Sequence, residues 1–374
     1  MKKFLFFLIL FVIISGGFLS ANNLDAEIKL LERFSSAYHI IQEKHISGIP
    51  TSKLINASIK GMVEALDEHS QFLSKEEFEL LEGQAVGRFV GIGVTMVEEG
   101  GNKKVSHVAP NSPAAKEELR TGDIIVAVNG QKLIGLSLDD LKQLTIGKVG
   151  SKIQVTFKHP AAPETEIVKT LIREKIDEKS VRSFDKEKAL VLHISSFQKG
   201  TPSEVKKILQ NKGKRRVIID LRDNPGGLLI SAVETVDLFV DAGKIVEVKD
   251  KFGRLVEKYV STEQRLVDDQ KPILLINHRT ASAAEILAGT LKDRSAGILV
   301  GSKSYGKGTV QALYPISNEY FLKLTSALYY TPSGVSFDGI GIEPDVAVIE
   351  EIDLETPRYT EQDKAYQKAL SLLE

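Results

Sequence analysis

Residues 271–311 read KPILLINHRTASAAEILAGTLKDRSAGILVGSKSYGKGTVQ, and their pattern decides the fold that we predict. Residues 273–276 form an apolar run typical of a buried strand, and residues 283–291 form a run typical of a helix. Ser282 lies at the junction. Its hydroxyl is therefore expected at a helix N-terminus, where backbone N–H groups have no partner within the helix. A strand followed directly by a helix indicates an α/β unit.

Three side chains of this stretch form a candidate catalytic set. Lys307 lies between Gly306 and Gly308, and flanking glycines let a backbone bend and approach other groups closely. Gln311 begins the next segment and could hold the lysine amine in place. We predict that Ser282 is a nucleophile and that Lys307 is the base that activates it.

Simpler alternatives exist for the serine and the lysine. A serine at this junction is commonly an N-cap. A lysine between glycines is commonly a solvated loop residue, or a phosphate ligand in the pattern Gly-x-x-x-x-Gly-Lys-[Ser/Thr]. Residues 301–308 nearly fit that pattern, but Gly308 occupies the Ser/Thr position.

The composition excludes several kinds of site. The chain has 374 residues, enough for two or three domains. It has no Cys, which removes disulfides, cysteine nucleophiles, thiolate metal sites and a lipid-modified N-terminal cysteine. Its seven His are scattered without metal-ligand spacing, so we predict no metal and no cofactor. The formal net charge of −1 gives no reason to expect a nucleic-acid partner.

Residues 1–21 have the pattern of an export signal. Lys2 and Lys3 precede an apolar run over residues 4–14, and Leu19-Ser20-Ala21 is a suitable cleavage site. An uncleaved anchor is the alternative, although the apolar stretch is short for a membrane span. Either outcome predicts a periplasmic protein, which the anchor would associate with the inner membrane.

Residues 22–83 have helical periodicity that is broken at Ser47-Gly48-Ile49-Pro50, and we predict a helical scaffold or a dimer arm. Ser74 and Glu77 have the spacing of a capping box.

Residues 84–170 have a different pattern, which predicts short strands interrupted by glycines. Residues 153–157 alternate between apolar and polar side chains, as a strand does, and Asn129-Gly130 is typical of a hairpin turn. Together with a short helix expected near residue 113, this order resembles a PDZ domain. The resemblance implies that Gly91-Ile92-Gly93-Val94 is a carboxylate-binding loop, whose backbone N–H groups capture a peptide C-terminus while the peptide adds as a strand.

The next region returns to an α/β pattern. Residues 217–222 form an apolar strand, as expected for a strand buried on both faces. Asp223-Asn224-Pro225-Gly226-Gly227 then makes a sharp turn whose glycine N–H groups could face an anion, although an ordinary strand-to-helix loop is the simpler alternative. His193 lies in the strand predicted over residues 190–197. Because no Asp or Ser motif accompanies His193, we interpret it as a strand residue and not as a base.

Three blocks stand in one order: DLRDNPGG at residues 220–227, TASAAEI at residues 280–286 and GKGTVQ at residues 306–311. With the PDZ-like insert and a closing GIGIEPD at residues 339–345, nearly the whole chain after the signal resembles the carboxyl-terminal processing, or tail-specific, proteases. Each block by itself is moderately specific for this family, and the blocks in this order are highly specific for it.

The resemblance implies a crotonase-like α/β protease core over residues 171–350, followed by a helical tail over residues 351–374. It assigns Ser282 as the nucleophile, Lys307 as the general base and Gln311 as the residue that orients the base. The oxyanion hole that it implies is formed by the backbone N–H groups of Gly226, Gly227 and Ala283.

A lysine acts as a base only as the neutral amine, which an apolar pocket of low dielectric favours. We expect residues 298–300 and Tyr305 to supply this pocket. One departure from the family pattern is Ile146, since many relatives have an arginine there that couples the PDZ domain to the protease. Lys148 is a candidate substitute.

We therefore predict a serine endopeptidase that cleaves envelope proteins with apolar C-terminal tails, which the PDZ domain binds. Further candidate partners are a lipoprotein adaptor and a second copy of the chain, bound through the N-terminal helices. Two alternatives stay open. One is a catalytically silent PDZ scaffold on a protease fold; the other is a crotonase-like acyl-group enzyme, against which the export signal and the PDZ insert argue.

Overall fold

The computed structural model describes residues 21–85, 88–136, 141, 144–145, 147–177, 179–186, 189–262, 265–267, 271–349 and 358–373. Residues 1–20 of the predicted export signal therefore lie outside the described residues, and so does Ile146. The chain divides into two compact units after Phe72.

The first unit is mainly helical, as predicted. Helices α1 (Ala21–Lys44) and α2 (Thr51–Glu64) are separated at the predicted break over residues 47–50. Apolar side chains of α1 are exposed: Leu30, Leu31, Phe34, Ile40 and Ile41. None of the described helices combines the length and the apolarity that crossing a bilayer requires.

A short strand, β1 (Gln71–Ser74), lies in the predicted helical region, for which no strand was predicted. Helix α3 (Lys75–Ala85) follows and begins with the predicted capping box. The Ser74 N–H donates to the Glu77 carboxylate at 2.7 Å, and the Glu77 N–H donates to Ser74 Oγ at 3.3 Å.

Residues 88–177 form a small β-rich fold with its own apolar core. Its main sheet has the order β3-β4-β5-β7-β8 with β6 beside β5, and the β5–β6 hairpin turns at Asn129-Gly130 as predicted. The first and last strands, β2 and β9, pair with each other outside this sheet and connect the fold to the rest of the chain. The elements are β2 (Arg88–Gly91), β3 (Val94–Glu99), β4 (Asn102–Val108), α4 (Pro113–Lys116), β5 (Ile124–Val128), β6 (Gln131–Lys132), β7 (Lys152–Lys158), β8 (Ile167–Ile172) and β9 (Glu174–Asp177).

Among the remaining described residues, two sheets and four helices pack around two apolar cores. One sheet has the order β10-β11-β12-β15-β16-β19 and is parallel except for the β10–β11 pair. The other contains β17, β18, β13 and β14 as antiparallel neighbours. The elements are β10 (Val181–Asp185), β11 (Ala189–Ile194), α5 (Thr201–Gln210), β12 (Arg216–Asp220), α6 (Leu229–Asp237), β13 (Gly243–Asp250), β14 (Leu255–Ser261), β15 (Ile273–Ile276), α7 (Ala283–Asp293), β16 (Ile298–Gly301), β17 (Thr309–Pro315), β18 (Tyr320–Tyr330), β19 (Val346–Ala347) and α8 (Lys364–Ser371).

The parallel sheet is buried on both faces, which explains the near-continuous apolar strands. Leu192 and Ile219 pack in one core with α5, α6, α7 and the antiparallel sheet. Val191 and Ile218 pack in a second core with α8. Successive side chains of a strand point to opposite faces, so a strand covered on both sides needs apolar residues at every position.

Candidate active site

The predicted site residues lie on loops that leave the same edge of the parallel sheet. Strands β12, β15 and β16 are neighbours and parallel, so their carboxyl ends lie together. The turn over residues 223–227 follows β12, the 277–282 turn follows β15, and the 302–308 loop follows β16. The crevice outside the carboxyl ends of the strands is where open α/β sheets bind their ligands.

Ser282 occupies the predicted junction between β15 and α7. Its backbone lies at φ 55° and ψ −118°, whereas an ordinary N-cap residue has β-region angles. A non-glycine residue at positive φ carries strain and persists only where its surroundings hold it there. Capping does not require this conformation. The strain therefore favours the catalytic interpretation of Ser282 over the simple N-cap.

The turn after β12 packs directly against Ser282. Gly226 has a φ of 102°, and a Cβ atom added there would lie 2.7 Å from Ser282 Cβ and 2.9 Å from the Ala283 nitrogen. Only a residue without a side chain fits at that distance. The Ala281 N–H also donates to the Asn224 carbonyl at 2.9 Å, which fixes the two turns to each other. The structure thus brings the predicted glycine turn and the predicted nucleophile together.

The three amides predicted to form an oxyanion hole differ in their partners. The Gly226 N–H donates to Asn224 Oδ1 at 2.8 Å and is therefore already engaged. Within the described part of the chain, the N–H groups of Gly227 and Ala283 have no hydrogen-bond partner. An oxyanion hole needs donors that are free to meet the developing charge. The geometry favours Gly227 and Ala283 as donors and gives Gly226 the role of a close contact with Ser282.

Lys307 lies half-buried in the loop between β16 and β17. The Tyr305 N–H donates to the Thr280 carbonyl at 2.9 Å, which ties this loop to the turn before Ser282. A Cβ atom added at Gly306 would lie 2.7 Å from the nitrogen of Gly341. The glycine beside the lysine therefore permits a close backbone approach, as the sequence predicted.

One buried carboxylate, to which the sequence analysis gave no role, joins the serine to the lysine loop. Glu285 lies in the first turn of α7 and is 0% exposed. Its Oε2 accepts the backbone N–H groups of Ser282 and Lys307, each at 2.8 Å, so these two nitrogens lie no further apart than twice that distance. Its Oε1 accepts the Gly306 N–H at 2.7 Å and the Ser304 hydroxyl at 2.6 Å.

The protonation state of Glu285 affects this arrangement. Burial raises the pKa of Glu285 above its ordinary value, and the four hydrogen bonds that it accepts offset only part of that effect. A protonated carboxyl loses acceptor capacity. Acid therefore weakens the link between Ser282 and the lysine loop.

Gln311 lies in β17, beside a bulge between Val310 and Gln311. Its Nε2 donates to Thr309 Oγ1 at 2.9 Å. In the described residues no hydrogen bond joins Gln311 to Lys307, so the orienting role of this glutamine stays a prediction.

The apolar pocket expected around the lysine is only partly present. Leu299 and Val300 are fully buried, but both belong to the two cores of the parallel sheet. The Tyr305 side chain is 57% exposed, which is more than expected for the wall of a closed pocket.

A buried charge network lies beside the turn after β12. His193 faces Asp220 across the parallel register, with its Nδ1 3.9 Å from Asp220 Oδ2. His193 lies in β11, as predicted, and its acidic neighbour is on the paired strand and not nearby in sequence. Burial lowers the pKa of His193, which favours its neutral form.

Asp220 is the centre of that network. Burial raises the pKa of Asp220, but the charges of Arg222 and Arg358 outweigh this effect and hold it well below its ordinary value. Asp220 therefore contributes stability above the ordinary carboxyl pKa, and this contribution is lost as the pH falls through the lowered folded value. Across the residues that the structure describes, no group of three or more His, Asp or Glu side chains is suited to hold a metal ion.

The predicted carboxylate-binding loop belongs to the β-rich fold and not to this cluster. Residues 91–94 join β2 to β3, and Gly93 has a φ of 81°. Lys148, the candidate substitute for an arginine at position 146, forms an exposed ion pair with Glu76 of α3 at 3.1 Å.

Comparison with known proteins agrees with this arrangement. Residues 188–348 match Peptidase family S41, and residues 104–158 match the PDZ domain family. A carboxy-terminal-processing protease from Bartonella bacilliformis is 32% identical over 344 residues, which cover 90% of this chain and 79% of that protein. The chain belongs to the carboxy-terminal-processing protease family.

Two further proteins are similar to this protease. The "Probable CtpA-like serine protease" of Staphylococcus aureus is 33% identical over 335 residues, which cover 88% of this chain and 66% of that protein. The solved photosystem II D1 C-terminal processing protease aligns with a TM-score of 0.61 at 27% identity and covers 88% of this chain and 89% of its own. The predicted family, the α/β fold class with its PDZ domain and the serine-peptidase activity are confirmed. The alternatives of a silent scaffold and an acyl-group enzyme are set aside.

Gly226→Ala should inactivate this protease while Gly253→Ala should not. Both glycines have positive φ, but a Cβ at Gly253 meets nothing within 4 Å, whereas at Gly226 it meets Ser282. We expect kcat to fall by about 100-fold or more in Gly226→Ala, because small displacements of reacting groups are costly. Kinetic assays of both purified variants provide the measurement. Equal activity of the two would show that the contact with Ser282 is unimportant.

Glu285→Gln should lower both activity and stability of the protease. The amide NH₂ would face N–H donors, so we expect kcat to fall by about 100-fold and the free energy of unfolding by about 1–3 kcal/mol. Glu234→Gln is the matched control, since Glu234 is exposed on the neighbouring helix α6. Steady-state kinetics and urea unfolding of both variants test this. Wild-type kinetics in Glu285→Gln would contradict the linking role of this carboxylate.

Proposed function

We propose that the protein is an exported endopeptidase that cleaves envelope proteins near their C-termini, with Ser282 as the nucleophile and Lys307 as the general base. The observation that carries the proposal is the Glu285 carboxylate. It accepts hydrogen bonds from the backbones of both residues at 2.8 Å. The carboxylate thereby holds the junction after β15, with Ser282, close to the loop after β16, with Lys307. A serine needs a base within reach to act as a nucleophile.

Acylation follows from this assignment. The Ser282 hydroxyl attacks the scissile carbonyl carbon, and its proton passes to the amine of Lys307. The oxyanion that develops accepts hydrogen bonds from the N–H groups of Gly227 and Ala283. The C–N bond then breaks, and the leaving amine takes the proton from Lys307. Each donor of such a pair contributes about 3 kcal/mol to stabilisation of the transition state.

In deacylation, water is the nucleophile and the Ser282 oxygen is the leaving group. A water molecule attacks the acyl carbon of the ester on Ser282, and Lys307 accepts the proton of that water. The C–O bond of the ester breaks, and the serine oxygen takes the proton back from the lysine. The new carboxyl terminus of the substrate then leaves. Serine–lysine dyads are an established variant of this chemistry.

The PDZ domain supplies tail recognition in this proposal. Gly91, Ile92, Gly93 and Val94 lie between two strands, and an extended peptide can add to a sheet edge while backbone N–H groups capture its carboxylate. Ile92 is buried in the core of the domain, which fixes the loop from beneath. We propose protein substrates with apolar C-terminal tails.

Export and assembly complete the proposal. Lys2, Lys3 and the apolar residues that follow support export to the periplasm, with inner-membrane association if the signal stays attached. The exposed apolar side chains of α1, including Leu31 and Ile40, support a homodimer through the N-terminal helices. The lipoprotein adaptor stays a prediction.

The serine–lysine assignment is tested with purified Ser282→Ala and Lys307→Ala, assayed on a peptide with an apolar C-terminal tail. We expect both variants to lose at least about 1,000-fold in kcat, since nucleophile and base act as a unit. Lys303→Ala is the matched control, because Lys303 is an exposed lysine of the same loop that pairs with Glu343. Hydrolysis by either dyad variant at the wild-type rate would refute the assignment.

The substrate class is tested in cells that carry Ser282→Ala in place of the wild type. Proteins of the cell envelope that are normally processed should accumulate, and their C-termini should be longer by a segment that ends in apolar residues. Mass spectrometry of envelope fractions measures both. An unchanged set of C-termini would contradict the proposed role in the envelope but would not bear on the assignment of Ser282 and Lys307.

A further inference from the structure

The segment formed by residues 358–371 is anchored on the opposite face of the parallel sheet from α7. Tyr359, Ala365, Tyr366 and Ala369 are buried there against Ile218, Leu275 and other residues of the second core. Phe184 lies against the Tyr359 ring, with centroids 4.9 Å apart. This apolar packing fixes the segment independently of the candidate active site.

From this anchored position the segment binds Arg222, which follows β12. The Asp363 carboxylate accepts hydrogen bonds from both terminal nitrogens of Arg222, each at 2.9 Å. It also accepts the backbone N–H groups of Tyr359 at 3.0 Å and Tyr366 at 2.9 Å. Four donors hold one carboxylate, so Asp363 is a fixed anchor for the arginine. The Tyr359 hydroxyl donates to Asp220 at 2.9 Å, which adds a second attachment to the end of β12.

A third attachment reaches the turn itself. Arg358 pairs with the Asp223 carboxylate, and its other terminal nitrogen lies 3.5 Å from Asp220. Asp223 has a φ of 64°, which is uncommon for a non-glycine residue, although Asp adopts it more readily than most. Asn277 and Arg279 bind the other oxygen of Asp223, at 2.8 and 2.6 Å. Arg358 therefore helps to keep the first residue of the turn in its unusual conformation.

The turn passes this constraint to the serine. Asn224 follows Asp223 directly, and its side chain accepts the Gly226 N–H at 2.8 Å. Its backbone carbonyl accepts the Ala281 N–H at 2.9 Å. Gly226 is in turn the residue whose added Cβ would meet Ser282. A continuous series of contacts thus runs from the 358–371 segment to the two parts of the candidate oxyanion site, the turn with Gly226 and the residues beside Ser282.

We propose that Arg358 and Asp363 are positioning residues for the turn that carries Gly226 and Gly227, and that Arg358 also keeps this turn electrically neutral. The proposal rests on the serine-peptidase mechanism proposed above. Among the described residues, three carboxylates around the turn, those of Asp220, Asp223 and Asp363, pair with three guanidinium groups, those of Arg222, Arg279 and Arg358.

The balance matters because a negative charge develops on the substrate carbonyl beside this turn. Removal of one cation leaves an uncompensated carboxylate close to that charge, where the low dielectric of a partly buried site strengthens repulsion. The effect acts on the transition state and not on the uncharged ground-state carbonyl. Loss of Arg358 should therefore lower kcat more than it raises KM.

The test compares three variants of the full chain. Arg358→Gln removes the cation, Arg358→Lys keeps the charge without the forked geometry, and Lys364→Gln removes an exposed cation from the start of α8 as the matched control. Each is assayed for kcat and KM on the tail-bearing peptide and for binding of a peptide boronate. The boronate forms a tetrahedral adduct with a serine nucleophile, so its affinity follows transition-state stabilisation.

We expect kcat of Arg358→Gln to fall by about 10- to 100-fold, with boronate affinity falling in parallel, as for displaced catalytic groups. Arg358→Lys should recover part of the loss, and Lys364→Gln should match the wild type. Wild-type kcat in Arg358→Gln, or a fall in melting temperature without a fall in boronate affinity, would overturn the positioning role. If Arg358→Gln does not fold, Asp363→Asn replaces it, since Asp363 is the other proposed positioning residue and binds Arg222. It should lower kcat several-fold, and unchanged kcat overturns the proposal.

The same assay separates this proposal from the function on which it rests. If the wild type cleaves no peptide and binds no boronate, the proposed peptidase mechanism fails and the positioning role fails with it. If the wild type is active, Ser282→Ala is inactive and Arg358→Gln equals the wild type, only the positioning role is wrong.

Discussion

The site depends on one buried carboxylate that receives four hydrogen bonds from two different segments. Glu285 lies one helical turn after Ser282, and it binds the backbone of the serine as well as the loop over residues 304–307. A buried carboxylate is costly unless hydrogen bonds satisfy it. The helix N-terminus and the lysine loop supply those bonds, so each segment stabilises the conformation of the other. The backbones of Ser282 and Lys307 are therefore held close together by this carboxylate.

Two residues of this site have an unusual backbone conformation. Ser282 and Asp223 both have positive φ, and Gly226 approaches Ser282 more closely than any other residue type could. Such conformations persist only when surrounding contacts over-determine them. Here the contacts come from the parallel sheet beneath, from Glu285 on one side and from the charge network around Asp220 on the other. The PDZ domain has a separate core, and its two connecting strands pair with each other, so this domain and the candidate active site occupy structurally distinct parts of the chain.

Local patterns in the sequence predicted local structure well. The strand at residues 273–276, the helix that begins at Ala283, the hairpin at Asn129-Gly130 and the capping box at Ser74 all follow from short-range rules. The ordered motif blocks identified the family, because their glycines and polar residues occur at positions where the backbone leaves the sheet edge. The strand at residues 71–74 was missed because helical residues flank it on both sides.

What the sequence could not predict depends on contacts between distant residues. The Ser-x-x-Glu spacing of Ser282 and Glu285 is a local signal for a capping box, but nothing local indicates that the same carboxylate also binds residues 304–307. His193 gains Asp220 as a neighbour only through strand pairing, and Asp363 meets Arg222 only after the chain has crossed the sheet. The engagement of the Gly226 amide by Asn224 likewise depends on the three-dimensional path of the turn.

The arrangement of Ser282, Lys307 and Glu285 can be tested by a crystal structure of the protein with a peptide boronate bound. The account predicts a covalent bond from boron to Ser282 Oγ and a boronate oxygen about 2.7–3.1 Å from the amide nitrogens of Gly227 and Ala283. It also predicts the Lys307 amine within hydrogen-bond reach of the serine oxygen, with Glu285 still bound to both backbones. An adduct on another residue, or one in which the 304–307 loop has separated from Glu285, would contradict it.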